Sequence, residues 1–336
     1  MDLPKIKFEK EDINDHKLYA QSKVTELVNY RDSEFATSPY QWQFIYLDLL
    51  ITEIENICTA EDIDSFKILF DNIHIFDFSK CRCKKGNANL CLPCSDKRFS
   101  LKLQSILGYN HNSLVKYFLY NGNKTCYICN AQYTLVAQKD YIKKYNGGYR
   151  FKSKYKKLKK TYITQSRNKA KFQLDHYYPK SLYPVFSISL HNLFPICGPC
   201  NQVKSNSLLD IKKLHKNSKF VLQEDTIYSF YKSRKRNDLI LNIDDIGTDG
   251  LVSKFDLKGI YDNHIDYVEE LLTRKINYSN SYKTALLKKH PDITPTFTSI
   301  EDRLIVGTYD KSEGIYKRPL SKLLQDLNDQ LDDYVK

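Results

Sequence analysis

No run in this 336-residue chain approaches eighteen consecutive apolar residues, so the sequence offers no membrane-crossing helix. The first fifteen residues, MDLPKIKFEKEDIND, are charged and lack the apolar core of a secretory signal, so the expected compartment is the cytoplasm. No G-x-x-x-x-G-K-[ST] loop is present, so any ATP dependence would have to come from a partner ATPase. Nor is there an internal repeat beyond paired cysteines. Hydrophobic residues make up 41% and charged residues 27%, which excludes a disordered tail and is enough for two or three folded regions.

What is present is concentrated. Eight of nine cysteines fall in close pairs, Cys81/Cys83, Cys91/Cys94, Cys126/Cys129 and Cys197/Cys200, with Cys58 alone in an apolar helical pattern. In a reducing compartment such pairs indicate metal in preference to disulfides. Cys126-Tyr-Ile-Cys129 and Cys197-Gly-Pro-Cys200 are two hooks that together supply a four-thiolate structural zinc site, with no open position for chemistry. Cys81, Cys83, Cys91 and Cys94 are a second zinc site, four reduced thiols, or partners in a mixed pairing with the first group.

The net charge of +12 has an address. Residues 139–171 hold thirteen Lys or Arg against one acid, and the rest of the chain carries 39 of each sign. Tyr141, Tyr145, Tyr149, Tyr155 and Tyr162 are interleaved through that stretch. It reads as a solvated insertion or, more pointedly, as an arm whose lysines, among them Lys156, Lys157, Lys159 and Lys160, meet phosphates while tyrosines stack on bases.

The flanks read as mainly helical. Helical spacing runs through YQWQFIYLDLLITEIENI, a capping box is expected at Thr59–Asp62, and another helix from Phe99 to Tyr120. DLILNIDDIGTDGLVSKFDL alternates as a hairpin over a glycine-containing turn. A long amphipathic helix, broken near Asn277, follows it, and a last helix over 321–335 stacks Leu323, Leu324, Leu327 and Leu331 as core packing or a short partner face. The expected class is α+β: helical residues 1–122, a core over 123–216 carrying the basic insertion, and a mainly helical 217–336 with the hairpin.

Within the core, Asp175-His176 follows an apolar run, and His191-Asn192 precedes the second hook. CYIC, LDHYYPKS and LHNLFPICGPCNQVKS, in that order, resemble the zinc-ribbon branch of the HNH endonucleases, the ββα-metal nucleases, over roughly 124–206. Phosphodiester hydrolysis needs a base for water and a cation for the charge on phosphate. An imidazole suits the first role, and hard oxygen ligands suit Mg²⁺ or Mn²⁺. The resemblance implies His176 as general base, Asp175 and Asn201 as ligands of a catalytic Mg²⁺ or Mn²⁺, Asn192 as the brace of the hairpin loop, and Lys204 as a phosphate contact. It assigns no role to His191. Asn201 stands where the name-giving histidine would be, and 45 residues separate Cys129 from Asp175, more than the family usually has. The expected function is a DNA endonuclease, with RNA as an alternative substrate and an anti-phage or restriction setting. A zinc-ribbon binder that cuts nothing is the competing class.

Overall fold

The computed structural model describes residues 6–37, 41–79, 91–108, 114–118, 123–144, 149–151, 162–236, 239–291, 305–309 and 312–334. Lys156, Lys157, Lys159, Lys160, Cys81 and Cys83 lie outside them, so the expected second zinc site and phosphate-binding lysines do too.

The N-terminal region is helical: α1 (Lys10–Gln21), α2 (Val24–Phe35), α3 (Trp42–Thr59), α4 (Ile63–Ile73) and α5 (Leu92–Ile106). α3 buries Tyr46, Leu47, Leu50, Ile54, Ile57 and Cys58 along one broad face. That breadth lets it contact α1, α2 and α4 together. The cap of α4 is Asp62, which accepts the Ser65 N–H, so Thr59 instead belongs to the end of α3. α5 starts earlier than expected, because Cys91-Leu-Pro supplies an extended cap and a proline in the first turn. It ends at Ile106, before Gly108, instead of running to Tyr120.

The basic stretch is a β-ribbon. β1 (Val136–Lys144) pairs antiparallel with β3 (Tyr162–Ala170) over nine residues each, from Val136↔Ala170 at the base to Lys144↔Tyr162. A short β2 (Tyr149–Phe151) adds on the other side of β1. At the ribbon's root Phe172 meets Phe118, their ring centroids 6.1 Å apart.

Two short antiparallel strands, β4 (Gln173–His176) and β5 (Leu193–Ile196), follow, with Asp175 opposite Phe194. β5 leads through Cys197 into α6 (Gly198–Lys204), completing a β-β-α unit. Next come α7 (Ile211–Asn217), β6 (Ser218–Leu222), α8 (Glu224–Ser233) and β7 (Leu241–Asp245). The expected glycine-turn hairpin does not form. β7 instead pairs back to β6, and Gly250, in the left-handed region, opens a helical turn, α9 (Leu251–Lys254). The apolar residues after Gly250 carry the reason, since Leu251, Val252 and Phe255 are all buried, at helical spacing.

α10 (Leu257–Asp262), α11 (Ile265–Asn277) and α12 (Asn280–Lys289) replace one long helix, with the break after Asn277. The last helix, α13 (Ser321–Tyr334), buries Leu323, Leu324, Leu327 and Leu331 against β6 and its neighbours, so its stripe is core. One connected hydrophobic cluster runs from Ile6 through Cys126 and Ile196 to Leu331, so the flanking helices and the β-β-α unit share a core. No helix among the described residues is long and apolar enough to cross a membrane.

Candidate functional site

The four cysteines of the two hooks come together. Their sulfurs all lie within 4.8 Å of one another, Cys129 and Cys197 at 3.9 Å, and all four are buried. A zinc-sulfur bond of about 2.3 Å places tetrahedral sulfurs about 3.8 Å apart, so the donor set and its spacing suit a metal ion such as zinc. Sulfhydryl donors from Cys126, Cys129 and Cys200 hold Cys197 well below the usual thiol range. The first hook is gripped from the C-terminal side. Asn130, just after it, donates to the Ile315 carbonyl at 2.8 Å, and the Tyr261 hydroxyl donates to the Cys129 carbonyl at 2.6 Å.

Asp175 and His176 leave the strand in different directions. Asp175 is buried and faces the hook and α6: Lys204 Nζ lies 3.1 Å from each carboxylate oxygen, and the Tyr127 hydroxyl donates to Oδ2. Burial pushes the Asp175 carboxyl up from its ordinary value, and Lys204 opposes that shift. His176 faces the loop between β4 and β5, where Nε2 lies 3.1 Å from the Ser187 carbonyl oxygen. A carbonyl only accepts, so Nε2 carries the proton and Nδ1 the lone pair. Burial lowers the imidazole to about 4, against the smaller opposing effect of that hydrogen bond. The ring is therefore a neutral base at pH 7.

Asn201 is half-buried on the first turn of α6. Its Nδ2 donates to Gln173 Oε1 at 2.6 Å, which leaves the amide oxygen as the atom able to bind a cation. Asp175, His176 and Asn201 border one cleft of about 290 Å³, with Leu174, Pro179, Lys180, Ser205 and Asn206 completing its wall. One carboxylate, one amide oxygen and room for water are the kind of hard-oxygen donor set that magnesium accepts.

The loop that holds His176 is fixed from several sides. Asn192 is wholly buried: Oδ1 accepts the Tyr178 N–H at 2.7 Å, and Nδ2 donates to the Tyr178 and Phe186 carbonyls at 3.1 Å. This is the bracing expected of it. Sequence reasoning missed the contributions of the N-terminal helices. His16 on α1 contacts the Ile188 carbonyl at 2.5 Å, Ser100 on α5 donates to the Ser181 carbonyl at 2.7 Å, and the Tyr178 hydroxyl donates to Asp64 on α4. These partners lie 172, 81 and 114 residues apart in sequence, and no local pattern announces such contacts.

One other expectation turns out differently. Lys204 does not face solvent. It is fully buried, bonded to Asp175 and, at 2.9 Å, to the His176 carbonyl, so it has no phosphate-facing position. A lysine on a short helix after a zinc hook reads as exposed, but α6 packs on β4 and the four-carbon stem reaches inward. His191 is half-buried with its ring 5.2 Å from Phe8 in an edge contact, which is packing. Nothing in the sequence but an aromatic residue between two cysteines signals the bond of Tyr127 to Asp175. Cys91 and Cys94 are half-buried, with Cys91 as the cap of α5.

No family profile, curated protein or solved structure matches this chain.

Proposed function

We propose that the protein is a metal-dependent endonuclease of the HNH, or ββα-metal, kind that hydrolyses phosphodiester bonds in DNA. The observation that carries this reading is the meeting of Asp175, His176 and Asn201 around one open polar cleft, with the histidine fixed as a neutral base. Asp175 Oδ1 and the Asn201 amide oxygen would hold Mg²⁺ or Mn²⁺, which when bound supplies positive charge for the scissile phosphate and the leaving oxygen. His176 accepts a proton at Nδ1 from the attacking water. Its Nε2–H stays on the Ser187 carbonyl, so the ring keeps its aim while the charge on it changes. Asn192 keeps that carbonyl in place by bracing the loop. The four-cysteine group, with zinc, holds β5 and α6 so that Asn201 stays beside Asp175.

The β-ribbon supports nucleic acid as the substrate. Its base at Val136 and Ala170 is close in sequence to both the first hook and β4, and its strands belong to the 139–171 stretch that holds the chain's charge excess. Nine residues at about 3.4 Å each extend it by about 30 Å, close to one turn of duplex. Work inside an anti-phage or restriction system, beside an ATPase, is part of the same proposal and rests on the sequence resemblance alone.

A cleavage panel tests the reading. Plasmid DNA, single-stranded DNA and RNA are incubated with Mg²⁺ or Mn²⁺, and binding is measured alongside. Nicking of DNA that disappears in His176→Ala while binding persists is the expected result. Binding without cleavage under every condition would establish the zinc-ribbon binder instead, and cleavage confined to RNA would move the substrate.

A further inference from the structure

Tyr127 is a spacer between two hook cysteines in sequence, yet it is held from three directions. It is fully buried, and its ring centroid lies 5.1 Å from that of Phe194, the residue paired with Asp175 across the two short strands. Its carbonyl oxygen lies 2.7 Å from His215 Nε2 on α7, and its hydroxyl donates to Asp175 Oδ2. The phenol is thus clamped between the strand that carries Asp175 and the hook that carries the thiolates.

Lys204 completes the seat. Its ammonium, also fully buried, bridges both Asp175 oxygens and the His176 carbonyl, and it stands three residues beyond Asn201 on α6. A buried ion pair adds little net stability over apolar packing of the same volume. What it does supply here is orientation, because one side chain ties the Asp175-His176 segment to the helix that presents Asn201. Of the two carboxylate oxygens, Oδ2 is taken by both Tyr127 and Lys204. Oδ1 accepts from Lys204, and the carboxylate also takes the His176 N–H.

We propose that Tyr127 is a positioning residue for the divalent-cation site: its hydroxyl pins Asp175 Oδ2, so that Oδ1 is the oxygen presented to the cation, and the zinc hook thereby sets the geometry of the second metal site. The inference rests on Asp175 being a cation ligand. Partners that orient a metal ligand from behind typically change metal affinity about 10- to 100-fold when removed. A residue that merely filled space within the hook would act on stability and zinc content and leave the divalent cation alone.

Tyr127→Phe deletes one oxygen and keeps the ring packing. Free Mn²⁺ is followed by electron paramagnetic resonance during titration of the full chain with a non-cleavable phosphorothioate duplex, and zinc content and the urea midpoint are recorded on the same samples. The expected result is a 10- to 100-fold rise in the Mn²⁺ dissociation constant with zinc content unchanged. In an Asp175→Asn background the same substitution adds no further shift, because its effect runs through that carboxylate. Unchanged Mn²⁺ affinity, or equal weakening in both backgrounds, overturns the proposal. A wild-type protein that binds Mn²⁺ but cuts nothing refutes the hydrolytic reading and leaves this result standing. One that binds no Mn²⁺ overturns both.

Discussion

At the scale of single residues, the site depends on how burial treats each polar group. His176 and His215 are both lowered to about 4 by burial, each with its Nε2 on a backbone carbonyl, of Ser187 and Tyr127 respectively. In the unfolded chain a histidine takes up its proton near pH 6.5. Between about 6.5 and 4 the unfolded state therefore binds protons that these two folded rings refuse. Their contribution to stability is complete above pH 6.5 and is lost as pH falls towards 4. Ring resonances followed by NMR check this, with His176→Gln and His215→Gln used for assignment. Both midpoints should fall near 4, with nitrogen shifts of the Nε2–H tautomer, and a His176 midpoint at 6 or above would contradict the account. Asn192 was reached only through the family resemblance, since its own neighbours, His191 and Leu193, do not mark a loop brace. Lys204 was misread because sequence alone does not show which way a long amphipathic side chain turns. Tyr127 was invisible for the same reason.

At the scale of elements, the hooks were legible because thiol spacing is itself the metal geometry. The β-β-α unit was legible through its order of polar residues, and α13 through its leucine spacing. The ribbon was not. Its strands are rich in Lys, Tyr, Thr and Gln, and they lack the apolar alternation that marks a half-buried strand, so composition gave an arm without a conformation. The misassigned hairpin near Gly247 and Gly250 failed for a different reason. The alternation over 241–245 is real, but its partner is β6, about twenty residues earlier, and a long-range partner leaves no local mark. The role of the basic stretch is testable through its lysines. Replacing Lys156, Lys157, Lys159 and Lys160 by Gln should weaken DNA binding to a similar degree on unrelated sequences. It should also reduce the slope of log K against log salt by up to about 3 to 4, as about 0.9 per lost phosphate contact requires. An unchanged slope would take these lysines out of the interface.

At the scale of the whole molecule, the cleft exists because three regions far apart in sequence share one core. The helical N-terminal region fixes the β4–β5 loop through His16, Ser100 and Asp64, and the C-terminal region grips the first hook through Tyr261 and the Ile315 carbonyl. The inner faces of both flanking regions are spent on positioning the site. Between these regions stands the four-cysteine group, and a structural metal there couples directly to folding. Cys197→Ser should lower zinc by one per chain and yield insoluble or unfolded protein. A soluble and fully active Cys197→Ser protein would show that the staple does not hold the fold. All of this converges on one imidazole beside the proposed cation site. Its most direct test is chemical rescue of plasmid nicking in His176→Ala at saturating Mg²⁺ or Mn²⁺. The account predicts a loss of about 10²- to 10⁴-fold, as removal of a general base gives, with nicking restored in proportion to added imidazole. Nicking by His176→Ala at the wild-type rate would contradict it.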